Sequence, residues 1–384
     1  MQSNYKSIGD FIRLVDERNT GLHITNLIGV SISKQFIKSV ANVIGADMEN
    51  YKIIRRYQFA CSIMQVRRDK KMPVALYTKD EPAIISQAYP IFEILDTDEL
   101  LPEYLMMWFT RSEFDRQACF HAVGGVRGSL EWEDFCNMSL PIPSPEKQLE
   151  IVKEYNVIQN RIKLNNQLIS KLEETAQAIY KQWFVDFEFN KKKKVSLSNY
   201  LLTNPKLAIA KNKVCSYIEM NDLDTSSMRI KGIIKRSYIG GAKFQNNDTL
   251  LARITPCLEN GKTAFVNILT DNEIAGGSTE FIVMRARKNV SPYWVYCLAR
   301  DEKFREFAIS SMIGSSGRQR VHESYLREYL LMEIDFQVME KFDKIMKPVF
   351  DMVKQKSKEI SLLYTIKTLL YSKMSKVEME KELA

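Results

Sequence analysis

The sequence predicts an α+β chain: two mixed α/β globular domains in a pseudo-twofold arrangement, joined by two long antiparallel coiled-coil helices. Three observations predict it. The chain repeats itself after about 190 positions, each half ends in a long heptad-patterned segment, and short β-like runs alternate with helical ones in between.

The repeat comes first. Leu101-Pro102-Glu103-Tyr104-Leu105, Phe114, Val123-Gly124-Gly125 and Phe135 are answered by Ser291-Pro292-Tyr293-Trp294-Val295, Phe304, Ile313-Gly314-Ser315 and Tyr325. Each half therefore runs from a helical segment through a Gly-rich, arginine-bearing loop toward a long helix. Within the halves, Ala83–Ile85, Ile91–Leu95, Thr249–Arg253 and Glu280–Met284 read as strands, and Pro102–Phe120 and Pro292–Ile309 as helices.

The long helices repeat best. Tyr155, Ile158, Ile162, Asn165, Ile169, Leu172, Ala176, Ile179 and Trp183 are spaced three, four, three, four. Met346, Val349, Val353, Lys356, Ile360, Leu363, Lys367, Leu370 and Met374 follow the same spacing, each 191 positions on. Such heptads favour side-by-side helix packing, and the polar Asn165 and Lys356 stand at equivalent seam positions, where a polar residue can select register. Taken singly, each helix could equally pack on its own domain; two matched copies argue for pairing.

Pro141-Ile142-Pro143 cannot be helical, Ser144 suits an N-cap and Pro145 the first helical position. From there to about Phe187 the helix would extend roughly 60 Å, the length of a spacer. The second helix is expected to begin at Pro348 after a shorter helix over Phe336–Met346, or to run continuously through a kink at Pro348. The domain boundaries that follow are 1–144, a spacer helix at 145–190, 191–334, and a second spacer helix at 335–384. Asn190-Lys191-Lys192-Lys193-Lys194 reads as a solvated linker where cations favour a helix C-terminus, or as a phosphate contact.

Composition narrows the function. A hydrophobic share of 45% is that of a globular protein, and no run approaches the ~20 apolar residues of a bilayer helix. The N-terminal residues lack a signal pattern, so a cytoplasmic chain without membrane contact is expected. The six cysteines and three histidines are dispersed, which argues against a metal site and for reduced core thiols. A net charge of +8 is compatible with phosphate binding without requiring it.

Catalytic motifs are missing. Gly261-Lys262-Thr263 resembles the end of a phosphate-binding loop, but Pro256 stands where that loop needs a glycine and its N–H. There is no dinucleotide fingerprint after a strand, no Asn-Pro-Pro-Tyr-like element and no arguable Ser/His/Asp set. No catalytic residue is assigned.

With these residues in view, the chain resembles the specificity subunits of type I restriction-modification systems. Pro141-Ile142-Pro143 with Gln148 and Ile151-Val152 is similar to the Pro-rich lead into that family's central helix, and Trp183-Phe184-Val185-Asp186-Phe187 to its end. Phe244, Asp248–Thr263, Gly277–Phe281 and Gly314–Arg320 resemble one type of target-recognition domain. Lys147 departs from a common acidic residue, Asn247 from a common glycine, and the second helix lacks the proline lead of the first. The resemblance implies two target-recognition domains, each reading one half of a bipartite site on double-stranded DNA, with the helices setting the gap and docking two methylation subunits. It further implies that the chain itself is non-catalytic and binds no cofactor. S-adenosylmethionine would belong to the methylation subunits, and ATP and Mg2+ to restriction/translocase subunits. A divergent nuclease or methylase fragment, or a coiled-coil scaffold, are the alternatives.

Candidate DNA contacts are Gly124, Gly125 and Arg127 in the first half, and Gly314, Ser315, Ser316, Gly317, Arg318, Gln319 and Arg320 in the second. Glycines admit close phosphate approach and arginine can pair bidentately with guanine. Arg253 and Lys262 join them from the recognised segment, either facing DNA or stabilising the fold; Arg55, Arg56, Arg67, Arg68, Lys235 and Arg236 are secondary, with a solvated surface charge as the alternative for each. The helix-pairing seam comprises Ile158, Ile162, Asn165, Ile169, Leu172 and Ile179, with Val349, Val353, Lys356, Ile360, Leu363 and Leu370.

Overall fold

In a computed structural model, residues 5–39, 47–64, 66–123, 128–186, 193–315 and 317–376 are described, and the chain forms two compact units, Met1–Asn160 with Tyr364–Ala384 and Arg161–Leu363. The class is α+β, and the same plan is built twice.

In the first unit a four-stranded antiparallel sheet runs Ile12–Val15, Ile91–Ile94, Phe59–Cys61, Val74–Leu76. In the second unit the order is Leu201–Thr203, Phe281–Ala286, Thr249–Ala252, Thr263–Phe265, again antiparallel throughout. Each strand has its counterpart about 190 positions on. The inner strands Phe59–Cys61 and Thr249–Ala252 are buried along their whole length, as sheet centres covered on both faces must be.

Each half also closes on itself. Tyr5–Ser7 pairs with Ser139–Pro141, and Lys194–Ser196 pairs with Leu330–Met332, so the first strand of each half is hydrogen-bonded to the last. Lys194 therefore belongs to a strand, not to a linker after the helix, while Asn190–Lys192 lie outside the described residues.

The segments expected as single helices are each broken once. Pro102–Phe109 is followed by Ser112–His121, and Pro292–Arg300 by Glu302–Ser310. In the second pair the break is a capping event: Asp301 is extended and its carboxylate accepts from the Phe304 N–H at 3.2 Å. Apolar periodicity carried across this corner because both pieces face one core.

Aromatic rings fill the first core, with Phe59 stacked on Phe92 at 5.0 Å and Phe109 at 4.9 Å from Phe114. In the second unit Phe265, Tyr293 and Tyr296 gather around Phe350 of the second long helix at 4.6 to 5.5 Å.

The first long helix spans Pro145–Tyr180 and ends in one wider turn over Lys181–Val185. The second is one continuous helix, Phe336–Lys376, with Pro348 inside it, so it does not begin at Pro348. Proline removes one backbone hydrogen bond and costs about 3 kcal/mol in a helix interior. Here its ring is exposed, and buried Phe342, Met346, Phe350 and Val353 on either side hold the helix in register. Among the described residues, no helix is long and apolar enough to cross a membrane.

Candidate nucleic-acid interface

Ile313–Ser315 and Gly317–Arg320 pair as the two sides of a small hairpin. Ile313 and Arg320 exchange backbone hydrogen bonds at 3.0 Å, and the Arg318 N–H donates to Ser315 O at 3.0 Å. Gly314 and Gly317 have φ of 137° and 76°, which β-carbon-bearing residues rarely adopt. The hairpin is fastened to the segment that follows strand Thr249–Ala252: Thr255 donates to Gln319 O through its N–H at 3.0 Å and its hydroxyl at 3.1 Å, and the Val321 N–H donates to Arg253 O.

This fastening brings Arg253 and Arg320 together on one carboxylate. Arg320 Nη2 donates to Glu280 Oε1 and Nε to Oε2, both at 2.9 Å, while Arg253 Nε reaches Oε2 at 3.3 Å. The two guanidiniums, Arg320 foremost, hold the Glu280 carboxyl below its ordinary range. Arg318 is exposed and, among the described residues, has no ion pair. Arg253, Gly314, Ser315, Gly317, Arg318, Gln319 and Arg320 are thus assembled at one place; Ser316 lies outside the described residues.

Lys262 is not part of that assembly. Its ammonium donates to Met220 O at 2.8 Å, and its loop is pinned by Arg300 on Gly261 O and Arg305 on Glu259 O, both at 2.9 Å. Satisfying backbone carbonyls is a folding role. Among the secondary arginines and lysines, Arg55 pairs with Glu17, Arg56 with Asp80, Arg68 with Asp69, Lys235 with Glu273 and Arg236 with Glu219. In the first half Gly124, Gly125 and Arg127 lie outside the described residues. Gly128, with φ of 65°, sits so close to Arg67 that an added Cβ would fall 2.4 Å from its Cβ.

A feature that sequence reasoning missed lies beside Arg253. Lys206, Lys243, Arg253, Gly241 and Thr279 line a cavity of about 640 Å³ over Phe281. Lys206 follows Asn204-Pro205, and Lys243 follows Gly240-Gly241-Ala242. An added Cβ on Gly241 would fall 2.0 Å from Gly277 O, so this chain crossing requires glycine. Two lysines next to turn-forming residues were the available signal. Among the described residues, no group of His, Cys, Asp and Glu could hold a metal ion.

The residues expected at the helix-pairing seam are all buried or half-buried. In the second unit Ile162, Asn165, Ile169, Val353 and Ile360 are buried, and Leu172, Ile179, Val349, Lys356 and Leu363 are half-buried. Arg161 meets Glu359 while Phe184 meets Phe342, so the two helices run antiparallel there. Lys356 also reaches Glu359, at 2.9 Å, and Asn165 faces the same carboxylate; Arg161 first, then Lys356, lowers its pKa to about 2. In the first unit Ile158 and Leu370 are buried, and the Tyr155 and Tyr371 rings lie 6.0 Å apart.

Buried Glu173, on the first long helix, accepts from the Met228 N–H and from the Tyr296 hydroxyl at 2.9 Å, while burial pushes its pKa up. Away from the seam the helices expose Leu164, Leu168, Ile345, Met352 and Leu362 in the second unit, and Val157, Ile366 and Leu369 in the first.

No family model matches the chain. Two curated proteins do. The specificity subunit of the type I restriction enzyme HindI of Haemophilus influenzae is 28% identical over 118 residues, covering 30% of this chain and 26% of that protein. The specificity subunit of the Escherichia coli enzyme EcoEI is 27% identical over 144 residues, covering 35% of this chain and 24% of that protein. The chain therefore spans about a quarter of the length of the curated relatives it matches. The crystal structure of a type I restriction-modification S subunit from M. genitalium superposes with a TM-score of 0.56 over 96% of this chain and 95% of that one, at 14% identity. The fold is shared along nearly the whole chain.

Proposed function

We propose that this chain, which carries the fold of a type I restriction-modification S subunit and resembles specificity subunits over about a third of its length, is the DNA-specificity subunit of such a complex. Each globular half reads one part of a bipartite site on double-stranded DNA. The two long helices fix the unread gap between the parts and dock two methylation subunits, to which the exposed apolar residues on their outer faces are suited. The chain performs no chemistry. S-adenosylmethionine is bound by the methylation subunits, and ATP and Mg2+ by restriction/translocase subunits that join them.

The observation that carries this reading is the duplication itself: one strand order and one helix order built twice, each copy closed by its own strand pair and leading into a long helix. Two readers of two half-sites require it. Arg318 supports the reading locally, because an exposed guanidinium with no ion pair among the described residues, on a fastened hairpin, is suited to meet a guanine edge.

The test is coexpression with the methylation subunit in a host lacking that modification, followed by genome-wide mapping of methyladenine. A split motif with a constant gap is expected. Exchanging residues 1–144 for those of another specificity subunit should alter one half of the motif alone. Methyl transfer or cleavage by the purified chain without partners would refute the assignment.

A further inference from the structure

We propose that the cavity lined by Lys206, Lys243 and Arg253 seats a phosphodiester of the duplex backbone, positioning the DNA beside the hairpin that bears Arg318. The proposal rests on the specificity reading and adds to it a site and two residues.

The cavity lies where the central sheet of the second unit meets a second four-stranded sheet of order Ile234–Ser237, Val214–Ile218, Ala275–Gly277, Ala242–Phe244. Phe281 and Val283 come from the central sheet, while Lys243 lies in Ala242–Phe244, an edge strand of the second, and Gly241 just precedes it. Its volume, about 640 Å³, falls in the range of ligand sites, roughly 300–1,000 Å³. Its charge is one-sided. Among the described residues no carboxylate lines it, and neither Lys206 nor Lys243 has an ion pair. The nearby acids are already engaged: Glu280 by Arg253 and Arg320, and Glu323 by Arg327 and the Asn204 amide.

The cations are also held in place. The Asn204 side-chain Oδ1 accepts from the Val283 N–H at 2.9 Å, and the Asn204 N–H donates to Val283 O at 2.7 Å, fixing the segment that delivers Lys206. The Lys243 ammonium lies 5.5 Å from the centre of the Tyr238 ring, and Glu280 holds Arg253. Lysine ammonium groups act as compact point charges suited to phosphate oxygens, and phosphate contacts position a duplex while base contacts specify it. Arg253 joins the two functions, since it lines the cavity and shares Glu280 with the hairpin.

The experiment uses the full chain assembled with its methylation subunits. Binding to a duplex carrying the methylated motif, and to a scrambled duplex, is followed by fluorescence anisotropy across a salt series. Lys206→Ala with Lys243→Ala should weaken binding to both duplexes by the same factor and flatten the log K against log salt slope by about 1 per lysine. The methylated motif should not change. Lys206→Arg with Lys243→Arg should retain the slope. An unchanged slope in the double alanine variant, or a loss confined to the specific duplex, would overturn the proposal. So would competition by micromolar AMP that the double variant abolishes, which would make the cavity a nucleotide pocket. If the unaltered complex binds no duplex at all, the specificity reading itself falls, and this proposal with it.

Discussion

Asp248 is 1% exposed and held by Arg285 through two contacts of 2.6 Å, Nε to Oδ1 and Nη2 to Oδ2. The same carboxylate accepts from the Gln245 N–H at 2.8 Å. Arg285→Met removes both guanidinium contacts and leaves a buried charge with one backbone donor. Stranding one partner of a buried ion pair costs about 3–5 kcal/mol. In a unit the size of Arg161–Leu363 each kcal/mol lowers Tm by roughly 2–4 °C, so a fall of about 6–20 °C is expected at pH 8. The sign of the pH dependence follows from burial. Without Arg285, desolvation alone holds the Asp248 pKa above its unfolded value. The folded state then binds the proton more tightly, so the deficit is full above the folded pKa and shrinks as pH falls toward the unfolded one. Asp248→Leu added to Arg285→Met should recover most of the loss, since the leucine no longer buries a charge. Calorimetry of the full chain at pH 8 and pH 5 reads all three quantities. A single variant melting within ~2 °C of the unaltered chain at pH 8, or a deficit independent of pH, would refute the reasoning.

Three further outcomes are expected. Glu359 has its pKa depressed to about 2 by Arg161 and Lys356, so its contribution is present above the ordinary glutamate range and lost as pH falls through it. The Tm difference between the unaltered chain and Glu359→Gln should therefore close between about pH 5 and pH 2. Ile360→Ala at the buried seam should cost about 2–5 kcal/mol, measured by denaturant unfolding, with no change at an exposed control such as Leu362→Ala. On the proposed reading, Arg318→Ala should relax one position in one half of the methylated motif by about 1–3 kcal/mol of discrimination, read as partial methylation at near-cognate sites.

The duplicated plan was readable because it rests on periodicity, which sequence displays directly. Ile158, Ile162, Ile169, Val353 and Ile360 are buried at the three-four spacing read from the sequence. The continuity of the second helix was less readable: a proline signals a break locally, and the burial of Phe342, Met346, Phe350 and Val353 around it is a tertiary property. Lys262 looked like its neighbours in the Gly-rich segment, yet its ammonium satisfies Met220 O, a residue 42 positions away. Lys206 and Lys243 went unnoticed for the converse reason. They are far apart in sequence and converge only once two sheets meet.

The strand pairs that close each half also bear on how the chain folds as it is made. Because Tyr5–Ser7 needs Ser139–Pro141, and Lys194–Ser196 needs Leu330–Met332, neither half is complete until its last strand has left the ribosome. Pairings of such high contact order are slow, and an unfinished half exposes strand edges that can associate wrongly. The strands of the first half can pair while the second is still being synthesised, but the part of the second long helix from Tyr364 on, whose Tyr371 bonds Thr110, joins that unit only afterwards. Nascent-chain folding should thus proceed in two separate steps, each gated by a three-residue strand at the far end of its own half.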